Sequence, residues 1–269
     1  MRWIGNYLLE LLRGPWPEMY FIRHAHGIHQ TGYELVEKKM FPSSKAALGC
    51  DIPNHLIPLS PLGRWQAEET RKFLNIRPDC VYCSLIARTS ETAKLIFPGY
   101  NIREDARLNE KDFGPAHMMG EEELLENFPA HYNRYLRDGK FFTSKAPGGE
   151  NYIYLLLRLH SILDTFRRDW PGKTIAIVTH SAAMLSFRQL FEHYAPDRLI
   201  ALGSEQWIQN CGILHYTWPG PFWGWKRGKF RIRLKQPPYK LWRLEAEQEE
   251  EFSREALEEI RELRKIYPD

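Results

Sequence analysis

The stretch "MYFIRHAHGIHQ", residues 19–30, decides how the rest of the chain is read. Four apolar residues, Met19 to Ile22, run into Arg23 and then into three histidines within six positions, His24, His26 and His29. A run this short and rich in β-formers reads as a buried strand. Its polar end leaves three readings open: metal ligands, a nucleophile with helpers, or the hydrated end of a strand. Two further runs end in the same way: "CVYC" (80–83) leads to Ser84 and "TIAIVT" (174–179) leads to His180. Helical patterns follow each, over 86–97 and 181–194. A third helix begins at "SPLGRWQAEETRKFLN" (60–75), with Ser60 as N-cap and Pro61 in its first position. A fourth covers 152–170, with Ile153, Leu156, Leu157, Leu163 and Phe166 expected on its buried face. Strands alternating with helices predict an α/β fold, a three-layer α/β/α sandwich around a mostly parallel sheet. Ligands of such sheets bind at the carboxyl ends of the strands, where Arg23, His24 and His180 fall.

The 269 residues suffice for one large domain, or for a domain with an appendage. A hydrophobic fraction of 43% with 26% charged residues is that of a soluble globular protein, and a net charge of +3 makes no case for nucleic-acid binding. Of the four cysteines, Cys50, Cys80, Cys83 and Cys211, the middle two form a C-x-x-C. On a strand, residues three apart face opposite sides of the sheet, so this pair is expected as free thiols in a reducing, cytoplasmic setting rather than as a metal or disulfide site. No stretch approaches the ~20 apolar residues of a membrane span. Residues 1–18 do not resemble a signal peptide and are expected as a helical lead-in with Leu8, Leu9, Leu11 and Leu12 inward; a membrane-surface role is the lesser reading. The main domain is expected over 19–218, interrupted by a partly ordered excursion over the site at 31–58. Residues 219–269 change character twice. "PGPFWGWKRGKFRIRLKQPPYKLWRL" carries eight Lys/Arg and no acid, and reads as an edge strand or hairpin guarded by charge. The remainder carries ten acids against four Lys/Arg, and reads as a solvated helix. Trp223, Trp225 and Trp242 among the basic residues admit contact with RNA or an anionic membrane, a reading weakened by the neutralising acids that follow.

A metal site on HAHGIH would need further ligands downstream, and Arg23 would set a fixed positive charge against the cation. The other reading uses that charge. Arg23 beside His24, Arg88 at the start of a helix and His180 at a third strand end make a cationic cup suited to a phosphoryl group. A neutral imidazole there can attack phosphorus, while a nearby acid protonates the leaving oxygen.

"FIRHAH", "LSPLGRWQAEET", "VYCSLIARTSETA", "RLNEKDFG", "PGGENY" and "IVTHSA" occur in the order and rough spacing of the histidine phosphatase superfamily, the phosphoglycerate mutase-like group, which the chain resembles over about residues 19–217. The resemblance implies that His24 is the nucleophile, that Arg23 and Arg88 bind the phosphoryl oxygens and that His180 donates to them. It also implies that Glu110 is the general acid and then the base toward water. No metal or other cofactor is implied, and the partner is a small phosphorylated substrate. Glu110 has a structural alternative, pairing with Arg107 or Lys111. His26 and His29 are expected as solvated or substrate-facing loop residues, Ser84 as a cap for the helix of Arg88, and Gln66 and Thr92 as helix supports. Gln30 stands where the family carries an asparagine that contacts phosphate, and Ser181 where a glycine follows the second histidine. Both are therefore phosphate-contact candidates. Mutases of the family carry a glutamate and a serine where this chain has His26 and Gly27, and their loss favours a metal-independent phosphomonoesterase acting through phospho-His24. Phosphoglycerate mutase-type transfer and a phosphate-binding protein with little activity are the alternatives. Tyr33, Phe41, Tyr132, Tyr135, Phe141 and Phe142 are either core or contacts for an apolar leaving group; substrate identity and oligomeric state are not legible.

Overall fold

The computed structural model describes residues 15–37, 47–48, 52–117, 119, 121–137, 145, 148–205, 208–217, 231–235 and 246–267. The lead-in leucines, Cys50, Phe41, Phe141, Phe142 and the three tail tryptophans lie outside them. The elements are β1 (Glu18–Arg23), α1 (Ile28–Glu37), α2 (Pro61–Phe73), β2 (Cys80–Cys83), α3 (Ala87–Ile96), β3 (Ile102–Glu104), α4 (Glu121–Asn127) and α5 (Pro129–Arg137). They continue with α6 (Tyr152–Asp169), β4 (Thr174–Thr179), α7 (Ser181–Glu192), α8 (Pro196–Glu205), β5 (Ile213–Thr217), β6 (Arg231–Lys235) and α9 (Ala246–Ile266).

Among the described residues one six-stranded sheet runs in the order β3-β2-β4-β1-β5-β6. The first three pairings are parallel, and β5 runs antiparallel to both β1 and β6. Alternate side chains of each strand go to opposite faces. Met19, Phe21, Tyr82, Ile175, Ile177 and Leu214 pack under α6 and α7. Tyr20, Ile22, Val81, Ala176, Val178 and Ile213 pack under α2 and α3. Helices on both faces bury β1 and β4 from their second residues onward, which is why those strands read as apolar runs. The C-x-x-C divides as expected: Cys80 joins one face and Cys83 the other, both as buried free thiols.

Three expectations need correction. The buried face of α6 is Leu155, Leu159, Ile162, Leu163 and Phe166, whereas Ile153 and Leu157 are exposed. The first two turns, "YIYLLLRLH", are apolar nearly all round, so the pattern had no unique phase there. Residues 31–58 are not simply a connection, because α1 already runs from Ile28 to Glu37. The acidic C-terminal helix is not merely solvated: Ala256 and Ile260 of α9 are buried against Ile28, Leu48, Ile52 and Ile57. The basic tail does place a strand, β6, at the sheet edge. No helix among the described residues is long and apolar enough to cross a membrane.

Candidate active site

The parallel strands β1, β2 and β4 end on the same edge of the sheet, and there Arg23, Ser84 and His180 come together. The loop leaving β1 is buried, so each of its backbone polar groups needs a partner. The His24 N–H donates to Thr179 O (2.9 Å) and the Ala25 N–H to Thr92 Oγ1 (3.0 Å). The His26 N–H donates to Gln66 Oε1 (2.9 Å) and the Gly27 N–H to Gln30 Oε1 (3.0 Å). The His24 carbonyl accepts from Asn210 Nδ2 (3.0 Å), and that of His26 from the Ser60 N–H (2.9 Å). Gln66 and Thr92 thus do more than support helices: from α2 and α3 they pin the two residues that directly follow His24. Gly63 allows α2 to approach this closely, since a Cβ there would lie 1.9 Å from the His26 carbonyl oxygen.

His24 is 4% exposed. Its Nδ1 lies 2.6 Å from the Ala25 carbonyl oxygen, which can only accept, so Nδ1 carries the ring proton. Nε2 is left with its lone pair, facing the Arg88 Nε–H at 3.4 Å. Burial, then the charges of Arg88, His180 and Arg23, hold the imidazole well below its ordinary 6.5, so it is neutral near pH 7. The His180 ring stands edge-on at 5.1 Å between centroids. It too is held well below 6.5, chiefly by burial and then by Arg88. Its Nε2 is 2.8 Å from Ser84 Oγ. Arg23 is buried, with Nη1 donating to the Ile208 carbonyl (2.7 Å), and burial lowers it only to about 10, so it stays cationic. Arg88 is anchored by Nη1 on the carbonyl and side-chain oxygens of Asn54 (3.1 and 3.0 Å).

Glu110 reaches the same edge. Its Oε2 accepts from the Ala182 N–H (3.2 Å), in the first turn of α7 directly after His180, and Oε1 from the Lys111 N–H (2.8 Å). The ion pair with Arg107 is not formed, because Arg107 binds Asp105 (2.7 Å). The loop of Glu110 is held by Arg158 of α6, which donates to the carbonyls of Arg107, Asn109 and Glu110 (2.7–2.9 Å) and pairs with Glu150 (2.7 Å).

The remaining candidates fall differently. Ser181 is the first residue of α7, at the positive end of a 12-residue helix. Gln30 is turned to Asn210, with both amide groups exchanging hydrogen bonds (3.0 and 3.2 Å). It braces the residue that holds the His24 carbonyl. His26 and His29 are buried rather than solvated. The His26 Nδ1 lies 2.8 Å from Ser60 Oγ, and the His29 ring 6.2 Å from that of His24. Ser84 accepts the Ile86 N–H (3.2 Å) as a cap would, and also ties His180. Asn54, Asn210, Arg158 and His117 were not found from sequence. Burial, and then the field of Arg88, lowers His117 to about 4. Asn210 precedes Cys211, whose φ of 57° makes the tight turn behind Arg23; nothing in "QNCG" signals this.

Comparison with known proteins identifies the family of the chain. The model of the histidine phosphatase superfamily (branch 1) matches residues 53–228, and the chain belongs to that family. The matched span begins after Arg23 and His24, so their place in the site rests on the geometry above. Human 6-phosphofructo-2-kinase/fructose-2,6-bisphosphatase 4 is 30% identical over 184 residues, covering 67% of this chain but only 37% of the human protein. Phosphoserine phosphatase 1 of Hydrogenobacter thermophilus is 29% identical over 130 residues, 47% of this chain and 60% of that protein. Among solved structures, the α-ribazole phosphatase of Shigella flexneri superposes with a TM-score of 0.63 at 16% identity, over 82% of this chain and 96% of the other. The phosphoserine phosphatase of Entamoeba histolytica, solved with 3-phosphoglyceric acid, gives 0.61 at 18% identity, over 83% and 98%. At these identities the superpositions establish the fold, which is phosphoglycerate mutase-like.

Proposed function

We propose that the chain is a metal-independent phosphomonoester hydrolase working through a phosphohistidine on His24. The observation that carries this is the state of His24: its Nδ1 proton is committed to the Ala25 carbonyl, and a neutral Nε2 lone pair faces Arg88. Nε2 attacks phosphorus while the bond to the leaving oxygen breaks, and protonated Glu110 gives its proton to that oxygen. Water then attacks the phosphorus of phospho-His24 and Glu110 takes its proton. The P–N bond breaks, releasing inorganic phosphate and the starting imidazole. Arg23 and Arg88, both desolvated, balance the charge on the equatorial oxygens, where charge develops in the loose transition state. The N-terminal end of α7 adds its dipole on the same side. Phosphatase names among the relatives, and the 3-phosphoglyceric acid bound to one of them, support a small phosphorylated substrate. The buried thiols Cys80, Cys83 and Cys211 fit a reducing, cytoplasmic setting.

The test is intact-protein mass after incubation with a generic phosphomonoester and a chelator, followed by acid. An acid-labile phosphoryl mass on the wild type, absent from His24→Ala, is expected together with phosphate release. Turnover that stops on chelation, or that survives His24→Ala, would overturn the reading.

A further inference from the structure

Ser84, whose hydroxyl the reaction above does not use, is fully buried and lies 2.8 Å from His180 Nε2. Its hydrogen-bonding capacity can be counted in full. A serine hydroxyl accepts twice and donates once. One lone pair takes the Ile86 N–H at 3.2 Å. The Thr89 hydroxyl stands 2.6 Å away, and its proton has two alternatives, the carbonyls of Ile86 (2.7 Å) and Ser84 (3.1 Å). The Ile86 carbonyl already receives the backbone N–H groups of Thr89 (2.9 Å) and Ser90 (3.3 Å), and the contact to Ser84 Oγ is shorter than that to the Ser84 carbonyl. With Thr89 donating to it, Ser84 has both lone pairs occupied and its own proton left for His180 Nε2. Nδ1 of His180 is buried and has no hydrogen-bond partner among the described residues. The ring is neutral, so one nitrogen carries the proton.

We propose that the Thr89–Ser84 hydroxyl pair sets the tautomer of His180, with Ser84 donating to Nε2 so that the proton resides on Nδ1 and is offered to the phosphoryl oxygens beside His24. The opposite tautomer would spend the N–H on Ser84 and turn a lone pair toward the oxyanion, a repulsive contact in a desolvated site. Ser84 and Thr89 are positioning residues: they act through His180, as the partner of a metal-bound histidine fixes its tautomer. The functional half of the inference rests on the phosphatase reading above, whereas the tautomer itself does not.

The direct test is a long-range proton–nitrogen NMR spectrum of the nitrogen-15-labelled full chain near pH 7, alone and with inorganic phosphate. His180 should show a protonated, pyrrole-type Nδ1 and a pyridine-type Nε2, and a protonated Nε2 in both samples would overturn the inference. Ser84→Ala should lower kcat and kcat/KM together by about 10–100-fold, the usual range for outer-partner losses. Ser84→Thr, which keeps the hydroxyl, should recover most of that loss. Thr89→Val covers the case in which Ser84→Ala fails to fold, and it should move the His180 nitrogen signals toward the opposite tautomer. Unchanged signals in a folded variant that lacks either hydroxyl would sink the proposal even if the enzyme proves to be a phosphatase. Correct signals with no turnover would sink the phosphatase reading and leave the tautomer standing.

Discussion

At the scale of single residues the site is an arrangement of proton inventories. His24 offers one lone pair because the Ala25 carbonyl takes its proton, and Glu110 accepts from two backbone N–H groups that place it beside His180. Glu110→Gln keeps the shape of the side chain and removes the acid. It should cost about 10²–10⁴-fold in kcat on an alkyl phosphate and much less on p-nitrophenyl phosphate, whose leaving group needs little protonation. Equal losses on both esters would argue that Glu110 only orders the loop. The buried histidines also make a pH statement. His24, His29 and His180 are held well below 6.5, first by burial, and His117 is lowered to about 4. Below pH 6.5 the unfolded chain therefore binds more protons at these positions than the folded one, so stability rises with pH there and is lost as pH falls. Urea denaturation midpoints should decline from pH 6.5 downward, and His117→Gln should flatten the part of the decline between 6.5 and 4. A midpoint that rises on acidification would contradict the buried, neutral assignment.

At the scale of elements, local chemistry and packing agree at α2 and part company at α6. Ser60 caps α2 as its sequence implies, accepting from the Gly63 N–H, with Pro61 in the first turn. Yet Gly63 has a second role that no helix propensity reveals, because the helix start presses on the carbonyl of His26. Gly63→Ala would ordinarily favour the helix. Here it should cost about 1–3 kcal/mol or more through overpacking against backbone, and should also reduce activity by displacing the loop of His24. A stabilised Gly63→Ala protein in denaturant titration would show that the contact yields freely. For α6 the apolar first turns left the phase open, and the sheet chose it by burying Leu155 and Leu159. That choice turns Arg158 toward the loop of Glu110, so the packing of one helix places the proposed acid.

At the scale of the whole molecule, α9 returns to the site from the far end of the chain. Ala256 and Ile260 bury against the segment that carries Asn54, the anchor of Arg88, while Arg64 of α2 forks to Glu259 (2.9 Å). The ion pair is about a third exposed and is worth roughly 0–1 kcal/mol, whereas Ile260 is 1% exposed and its truncation should cost about 2–5 kcal/mol. Thermal unfolding of Glu259→Gln and Ile260→Ala should therefore rank the apolar seam well above the charge pair; the reverse order would mean that electrostatics holds the helix. What the sequence by itself determined is the strands β1, β2 and β4, the charged edge strand of the tail, the helices α2, α3, α6 and α7, and the polar residues at the strand ends. Those signals are local: short runs of β-formers, an N-cap followed by proline, and motifs a few residues long. Tertiary structure alone decided which groups meet: Asn54 with Arg88, Arg158 with Glu110, and Asn210 with His24, 34, 48 and 186 positions apart. Hydrogen bonds across such distances leave no periodic trace, because either partner can be any polar residue that the fold happens to bring within 3 Å.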